Sequence, residues 1–243
     1  MKQLYRNSVE APSKLLDDSV KKDYYKNLRD EKNKIRDRWN TIQENKCKVV
    51  REQLLKLSDG CCAYCGKKIR GSEMDVDHFL PSFNFPYIAY CWENLLPSCK
   101  RCNQTYKHDY VPTSLKDQII IEKCMKDEKE YNLIYDECDV LSLCENSRII
   151  EPSRDTIEEH LEFNPEIYAY KYKSDIGKLT KEKFFNKAEV IEFLEKLSEA
   201  VKKLVESGCS FDVVQAFIDL DGYEFYYKSF YTYWMREKQA GRL

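Results

Sequence analysis

Glycine and proline are scarce, 7 of each in 243 residues, which argues against a turn-rich all-β protein and against collagen-like or linker-dominated chains. Long apolar runs are missing. Runs such as Ile119-Ile120-Ile121 fall far short of the ~20 residues a membrane-spanning helix needs. The opening Met1-Lys2-Gln3-Leu4-Tyr5-Arg6 has no apolar stretch of the kind that forms a secretory signal, so the expectation is a cytoplasmic chain with no membrane association. An excess of either charge is also lacking. The net charge of −2 gives no argument for nucleic acid on its own.

The distribution of charge says more. Residues 1–58 carry a net +6, residues 59–110 are balanced, and residues 111–243 carry −8. A basic front and an acidic back suit a chain with one end facing phosphates, although solvated lysine-rich helix faces give the same pattern. With 42% hydrophobic and 34% charged residues the chain is globular. Eleven cysteines without a signal segment point to a reducing compartment and to thiols rather than disulfides. Seven of them (Cys47, Cys61, Cys91, Cys124, Cys138, Cys144 and Cys209) are scattered and read as small buried hydrophobes.

Hydrophobic periodicity predicts helix from Ser13, a possible N-cap, to Leu57, in two pieces, ended by Ser58-Asp59-Gly60. This basic helical region is 1–58. Residues 59–110 change character, with six cysteines and two histidines among short extended stretches. The acidic remainder, 111–243, reads as mostly helical. It includes helix over 114–130, a possible strand at Arg148-Ile149-Ile150, and a short helix capped by Ser153 or Asp155 and running through Leu161. An alternating strand follows at Tyr168 to Tyr172, then helices over 188–207, after Ser210 and over 222–238. The last helix has an aromatic face from Tyr223 to Trp234, which packs either on the protein's own core or on a partner. The fold class is mainly α with a small inserted module containing β-structure.

The chemistry concentrates in that module. Cys62-Ala63-Tyr64-Cys65 and Cys99-Lys100-Arg101-Cys102 are two C-x2-C pairs. Two intervening residues let both thiolates of a pair turn toward one point, so the four cysteines can enclose a tetrahedral zinc. Between and after them come Asp75-Val76-Asp77-His78, Asn94-Leu95 and Asn103. Asp77 and Asn103 offer hard oxygens to Mg²⁺ or Mn²⁺, His78 is a base near neutral pH, and the Asn94 amide can hold the imidazole. Period-two alternation opposes this grouping: it puts Asp75 and Asp77 on one strand face and His78 on the other. For Asp77 and His78 to serve one site, the strand has to end or twist near them.

The order Cys62-x2-Cys65, Asp77-His78, Asn94-Leu95, Cys99-x2-Cys102-Asn103 with Lys107 following resembles the HNH (ββα-metal) endonuclease family over about 50 residues. The resemblance implies a two-stranded hairpin followed by a helix. It also implies His78 as general base, Asp77 and Asn103 as ligands of the catalytic metal, and Asn94 as the residue that orients His78. Lys107 lies four residues after Asn103, where many relatives have a lysine three after. His108 falls ~500° round an α-helix from Asn103, about 140° off its face, and is expected at the surface. Lys100, Arg101 and Lys107 are candidates for phosphate contacts, as are Lys67, Lys68 and Arg70.

Arg6-Asn7-Ser8-Val9-Glu10-Ala11-Pro12, Glu151-Pro152-Ser153-Arg154-Asp155 and Glu159-His160-Leu161-Glu162-Phe163 are similar to stretches of the Septu-type and retron-associated anti-phage HNH nucleases. That resemblance implies a DNA-cleaving effector working with an ATPase partner, with His160 structural. The rival readings are a non-catalytic zinc-stabilised binding module and a stand-alone restriction-type HNH nuclease.

Overall fold

The structure is a computed structural model that describes residues 1–16, 49–70, 73–82, 88–108, 110–112 and 147–243. Most of the expected first two helices, the helix over 114–130 and the aromatic loop residues Phe83, Phe85 and Tyr87 lie outside the described residues.

Helix α1, Val49–Leu57, buries Val50, Leu54 and Leu57 along one face and ends at Ser58-Asp59-Gly60, where the Gly60 amide returns to the Leu55 carbonyl. The chain then turns through the first cysteine pair into strand β1, Met74–His78. Strand β2, Leu95–Cys99, pairs with it antiparallel, with His78 opposite Leu95 and Met74 opposite Cys99. Helix α2, Arg101–Lys107, follows directly and has wide turns, the His108 amide bonding the Asn103 carbonyl five residues back. Hairpin then helix is the order that the family resemblance implies.

The later segments depart from expectation in three places. Arg148-Ile149-Ile150 forms no strand; its two isoleucines are buried, and the Ile150 amide bonds the Thr180 hydroxyl instead of a neighbouring strand. The short helix is the single turn Ile157–His160, and Leu161 already belongs to a strand. That strand, β3 (Leu161–Asn164), pairs antiparallel with β4 (Ala169–Tyr172), which supplies the partner that the alternating tyrosines needed. Helix α3, Asp175–Thr180, packs beside it; a Cβ on its Gly177 would lie 2.0 Å from the His160 carbonyl oxygen, so no other residue fits.

Helix α4, Ala188–Glu206, helix α5, Phe211–Asp221, and helix α6, Glu224–Gln239, complete the chain. The aromatic face of α6 packs inside the molecule. Tyr226, Tyr227 and Phe230 are buried, Phe163 meets the rings of Tyr226 and Phe230 edge-on, and the Trp234 indole donates to Ser198 on α4. Full burial of a side chain such as Phe230 stabilises by about 1.5–3 kcal/mol. One apolar cluster runs from Met1 and Leu4 through the cysteine module to Phe230.

The junction of α5 and α6 closes onto the first cysteine turn by backbone bonds. Lys68 donates to the Asp221 carbonyl, Tyr223 donates to the Gly66 carbonyl, and Lys67 bridges Gly222. Gly222 has φ +77°, and a Cβ there would lie 2.5 Å from Gly66 O and Lys68 N. Cys91, expected as a free thiol, is disulfide-bonded, whereas Cys61 and Cys209 are free. Among the described residues no helix is long and apolar enough to cross a membrane.

Candidate active site

The four cysteines of the two C-x2-C pairs meet. Cys62 and Cys65 sit on the turn before β1, Cys99 ends β2, and Cys102 lies in the first turn of α2. Their sulfurs all lie within 4.8 Å of one another, and Cys65 Sγ and Cys99 Sγ are 3.8 Å apart. Four thiolates at ~2.3 Å from a tetrahedral zinc stand about 3.8 Å apart. The cage therefore has the size and donor chemistry of a structural zinc site. Burial alone would raise the Cys62 thiol, but hydrogen bonds from Cys102, Cys65 and Cys99 overcome it and hold Cys62 well below an ordinary thiol. One sulfur thus carries negative charge readily in a buried place, as a metal ligand must.

The cysteine cluster sets the start of α2 against the end of β2, and α2 then runs along β1. Asp75 and Asp77 both point at the helix, as strand alternation requires. The ~7 Å between alternate strand residues matches about one turn of helix. Asp75 Oδ2 accepts from Asn103 Nδ2 at 3.2 Å and from Gln104 Nε2 at 2.7 Å. Asp77, only 2% exposed, accepts from Lys107 Nζ at 3.0 Å and from the Tyr64 hydroxyl at 2.5 Å. The Asn103 amide thus bonds Asp75, and the hydrogen bonds of Asp77 go to Lys107 and Tyr64.

Lys107, expected at a phosphate-facing surface, is 1% exposed, and its ammonium also donates to the His78 carbonyl at 2.6 Å. It is an internal counter-charge, because the wide turns of α2 carry it over Asp77 instead of outward. Lys100 and Arg101 are exposed at the start of the helix, and His108 is exposed at its end. Tyr64 is fully buried and stacked on Phe184 at 4.5 Å, and burial beside Asp77 pushes its phenol well above the ordinary value. Neither Tyr64 nor Asp75 is marked by motif spacing. Their only signals were a tyrosine inside the first cysteine pair and a second aspartate on the Asp77 face.

His78 ends β1 on the opposite face, still paired with Leu95, so the strand does not break to bring it beside the Asp77 carboxylate. Its Nε2 lies 2.9 Å from the Ala89 carbonyl oxygen. A carbonyl only accepts, so Nε2 carries the hydrogen and Nδ1 is the basic nitrogen. Burial lowers the imidazole pKa, against the opposing pull of Asp77, and keeps the ring neutral. Asn94 does not bond the imidazole. Its buried amide accepts from Leu80 N at 2.8 Å and donates to the carbonyls of Leu80 and Ile88 at 3.0 and 3.3 Å, which ties Leu80 to Ile88, the residue next to Ala89.

Residues 62–109 match the family model of HNH endonucleases. Those residues form an HNH endonuclease domain within the chain. The HNH domain accounts for the hairpin, the helix and the position of His78. Two curated relatives are Septu proteins PtuB. The one from Bacillus thuringiensis is 43% identical over 22% of this chain and 22% of its own length, and the one from Bacillus mycoides (strain KBAB4) is 27% identical over 47% of this chain and 38% of its own. The matches therefore span well under half of either relative. No solved structure matches the chain. His160 bonds the Ser174 hydroxyl through Nδ1 at 2.7 Å, far in sequence from the HNH domain.

Proposed function

We propose that this chain is a metal-dependent endonuclease that hydrolyses phosphodiester bonds of DNA and serves as the nuclease of an anti-phage defence system. The observation that carries the reading is His78: a neutral imidazole with its Nε2 hydrogen held by Ala89, at the end of β1 in an HNH domain. In this reading Nδ1 takes the proton of the attacking water, and the Asn94-pinned loop keeps that nitrogen in its basic tautomer. Asp77 and Asn103 are the ligands we assign to Mg²⁺ or Mn²⁺, with Asp75 beside them. Three hard oxygen donors along one side of β1 and α2 suit such an ion. When bound, the ion offsets charge on the phosphate and the leaving oxygen. It competes with the Lys107 ammonium for the Asp77 carboxylate. Lys100 and Arg101 are the residues we assign to phosphate contact, since both are exposed beside the zinc cage.

The ATPase partner and the cytoplasmic setting rest on the resemblance to Septu-type nucleases. Residues 59–110 carry no net charge, which fits DNA delivered by a partner better than tight autonomous binding. The test is nicking of supercoiled plasmid by the purified chain with Mg²⁺ and with Mn²⁺, alone and with the co-expressed ATPase. One observation favours a second reading. Both Asp77 oxygens already have partners, Lys107 and Tyr64, as in a zinc-held binding module without catalysis. Absence of nicking under all four conditions would select that reading.

A further inference from the structure

Arg6 lies more than 70 residues from His78, yet its side chain is only 10% exposed and every contact it makes is with two distant segments. Its Nη1 donates to the Trp92 carbonyl at 2.9 Å, and Nη2 donates to the carbonyls of Glu93 at 3.2 Å and Leu95 at 3.0 Å. Nε donates to Ser153 Oγ at 2.7 Å. Glu93, 3.0 Å away, and the fully buried Glu151, 3.8 Å away, balance the charge, and the guanidinium lies over the Trp92 ring. The three carbonyls belong to the residues that bracket Asn94.

The bracketed residue is the one that holds the His78 loop. The Asn94 carbonyl accepts from Phe79 N at 2.8 Å, and its side chain grips Leu80 and Ile88. The next carbonyl, that of Ala89, takes the His78 ring hydrogen. Hydrogen bonds joined by two short steps of backbone, through Asn94 and from Ile88 to Ala89, thus lead from the Arg6 guanidinium to the imidazole. Docking of the first residues does not depend on it: Lys2 donates to Ala63 O, Leu4 donates to Pro152 O, and the Gln3 amide donates to the carbonyls of Pro152 and Asp155. Only a planar fork with five donors reaches three divergent carbonyls and a hydroxyl at once; an ammonium cannot.

We propose that Arg6 is a positioning residue for His78: it fixes the Asn94 turn, and through it the tautomer and aim of the catalytic imidazole. The kinetic part of this proposal rests on the endonuclease reading; the tautomer part does not.

The experiment compares the full zinc-loaded chain with Arg6→Lys, and with Arg6→Met combined with Glu151→Gln, which removes the charge that Arg6 balances. Zinc content and cooperative thermal unfolding are measured first. Then kcat and KM are measured on plasmid, together with the ring nitrogen shifts of His78 by two-bond ¹H–¹⁵N NMR. The chain has three histidines, and His108→Gln and His160→Gln assign the rest. In both variants zinc and unfolding should be retained. The Nε2–H form of His78 should give way to a tautomer mixture, and kcat should fall roughly tenfold to a hundredfold with KM within about twofold. A pure Nε2–H form in the folded variants overturns the proposal, as does a wild-type kcat. Loss of zinc or of cooperative unfolding in both variants also overturns it, by making Arg6 a general support of the fold. A wild-type chain that cuts nothing either alone or with the co-expressed ATPase, alongside variants that shift the tautomer, would reject the endonuclease reading and leave the positioning role standing.

Discussion

Replacing Lys107 with methionine separates its two conceivable roles, because a buried counter-charge and a phosphate contact fail in different ways. Lys107 and Asp77 are 1% and 2% exposed, 3.0 Å apart, and the ammonium also holds the His78 carbonyl. Methionine fills much of the same space but leaves the Asp77 carboxylate buried with only the Tyr64 hydroxyl as donor. Breaking one side of a buried pair costs about 3–5 kcal/mol. For a urea m-value of roughly 3 kcal/mol/M that lowers the unfolding midpoint by about 1–2 M. Adding Asp77→Asn removes the stranded charge, so the double variant should recover most of the loss. The assay is urea unfolding followed by circular dichroism at fixed zinc, for both single variants and the double. An unchanged midpoint in Lys107→Met would refute the buried-pair account. It would do so most directly if DNA binding weakened evenly across sequences and its salt slope dropped by about one, the signature of a lost phosphate contact.

Four further outcomes follow from contacts already described. Freshly purified protein should hold one zinc per chain by elemental analysis, and Cys99→Ser should lose it and unfold the HNH domain; zinc-free, folded wild-type protein would reject the cage. His78→Ala should keep zinc and fold while plasmid nicking drops by about 10²–10⁴-fold; full activity would return His78 to a purely structural role. Gly177→Ala drives a methyl group to within 2.0 Å of a backbone oxygen and should lower Tm by roughly 5 °C or more, whereas a shift under about 1 °C would contradict the close approach. Deleting residues 222–243 removes Tyr226, Tyr227 and Phe230 from the core and should give aggregated protein; a folded, zinc-bound truncation would show that the aromatic face of α6 serves a partner instead.

What was legible in the sequence was local. Two C-x2-C pairs announce a metal cage because each half is built within four residues. Period two put Asp77 and His78 on opposite faces, and β1 keeps them there. The amphipathic pattern of 188–207 yields α4 within a residue at each end. Longer-range features were hidden. Asn103 meets Asp75 and Lys107 meets Asp77 because α2 turns wide, which no residue spacing states. Tyr64 reaches Asp77 only after the first cysteine turn folds over β1. The strand at Leu161 was obscured by a helical turn that ends one residue earlier, and its pairing with β4 is a tertiary decision for so short a segment. Arg6 and Glu151 drew notice as parts of short motifs, but their meeting around Asn94 needs the folded chain.

The backbone seam between the first cysteine turn and the α5–α6 junction bears on how the protein comes into being. On a ribosome, residues 66–68 emerge more than 150 residues before Gly222, so the edge of the cysteine turn stays unsealed while those residues are made. The cage can take its zinc early, since all four ligands are made by residue 102, but its outer edge waits for nearly the last helix. An excised 59–110 segment would keep the ligands and lose the seam, exposing the main-chain groups of Gly66 and Lys68 that the finished protein pairs. The HNH domain is contiguous in sequence, yet as a folding unit it reaches to the last helix of the chain.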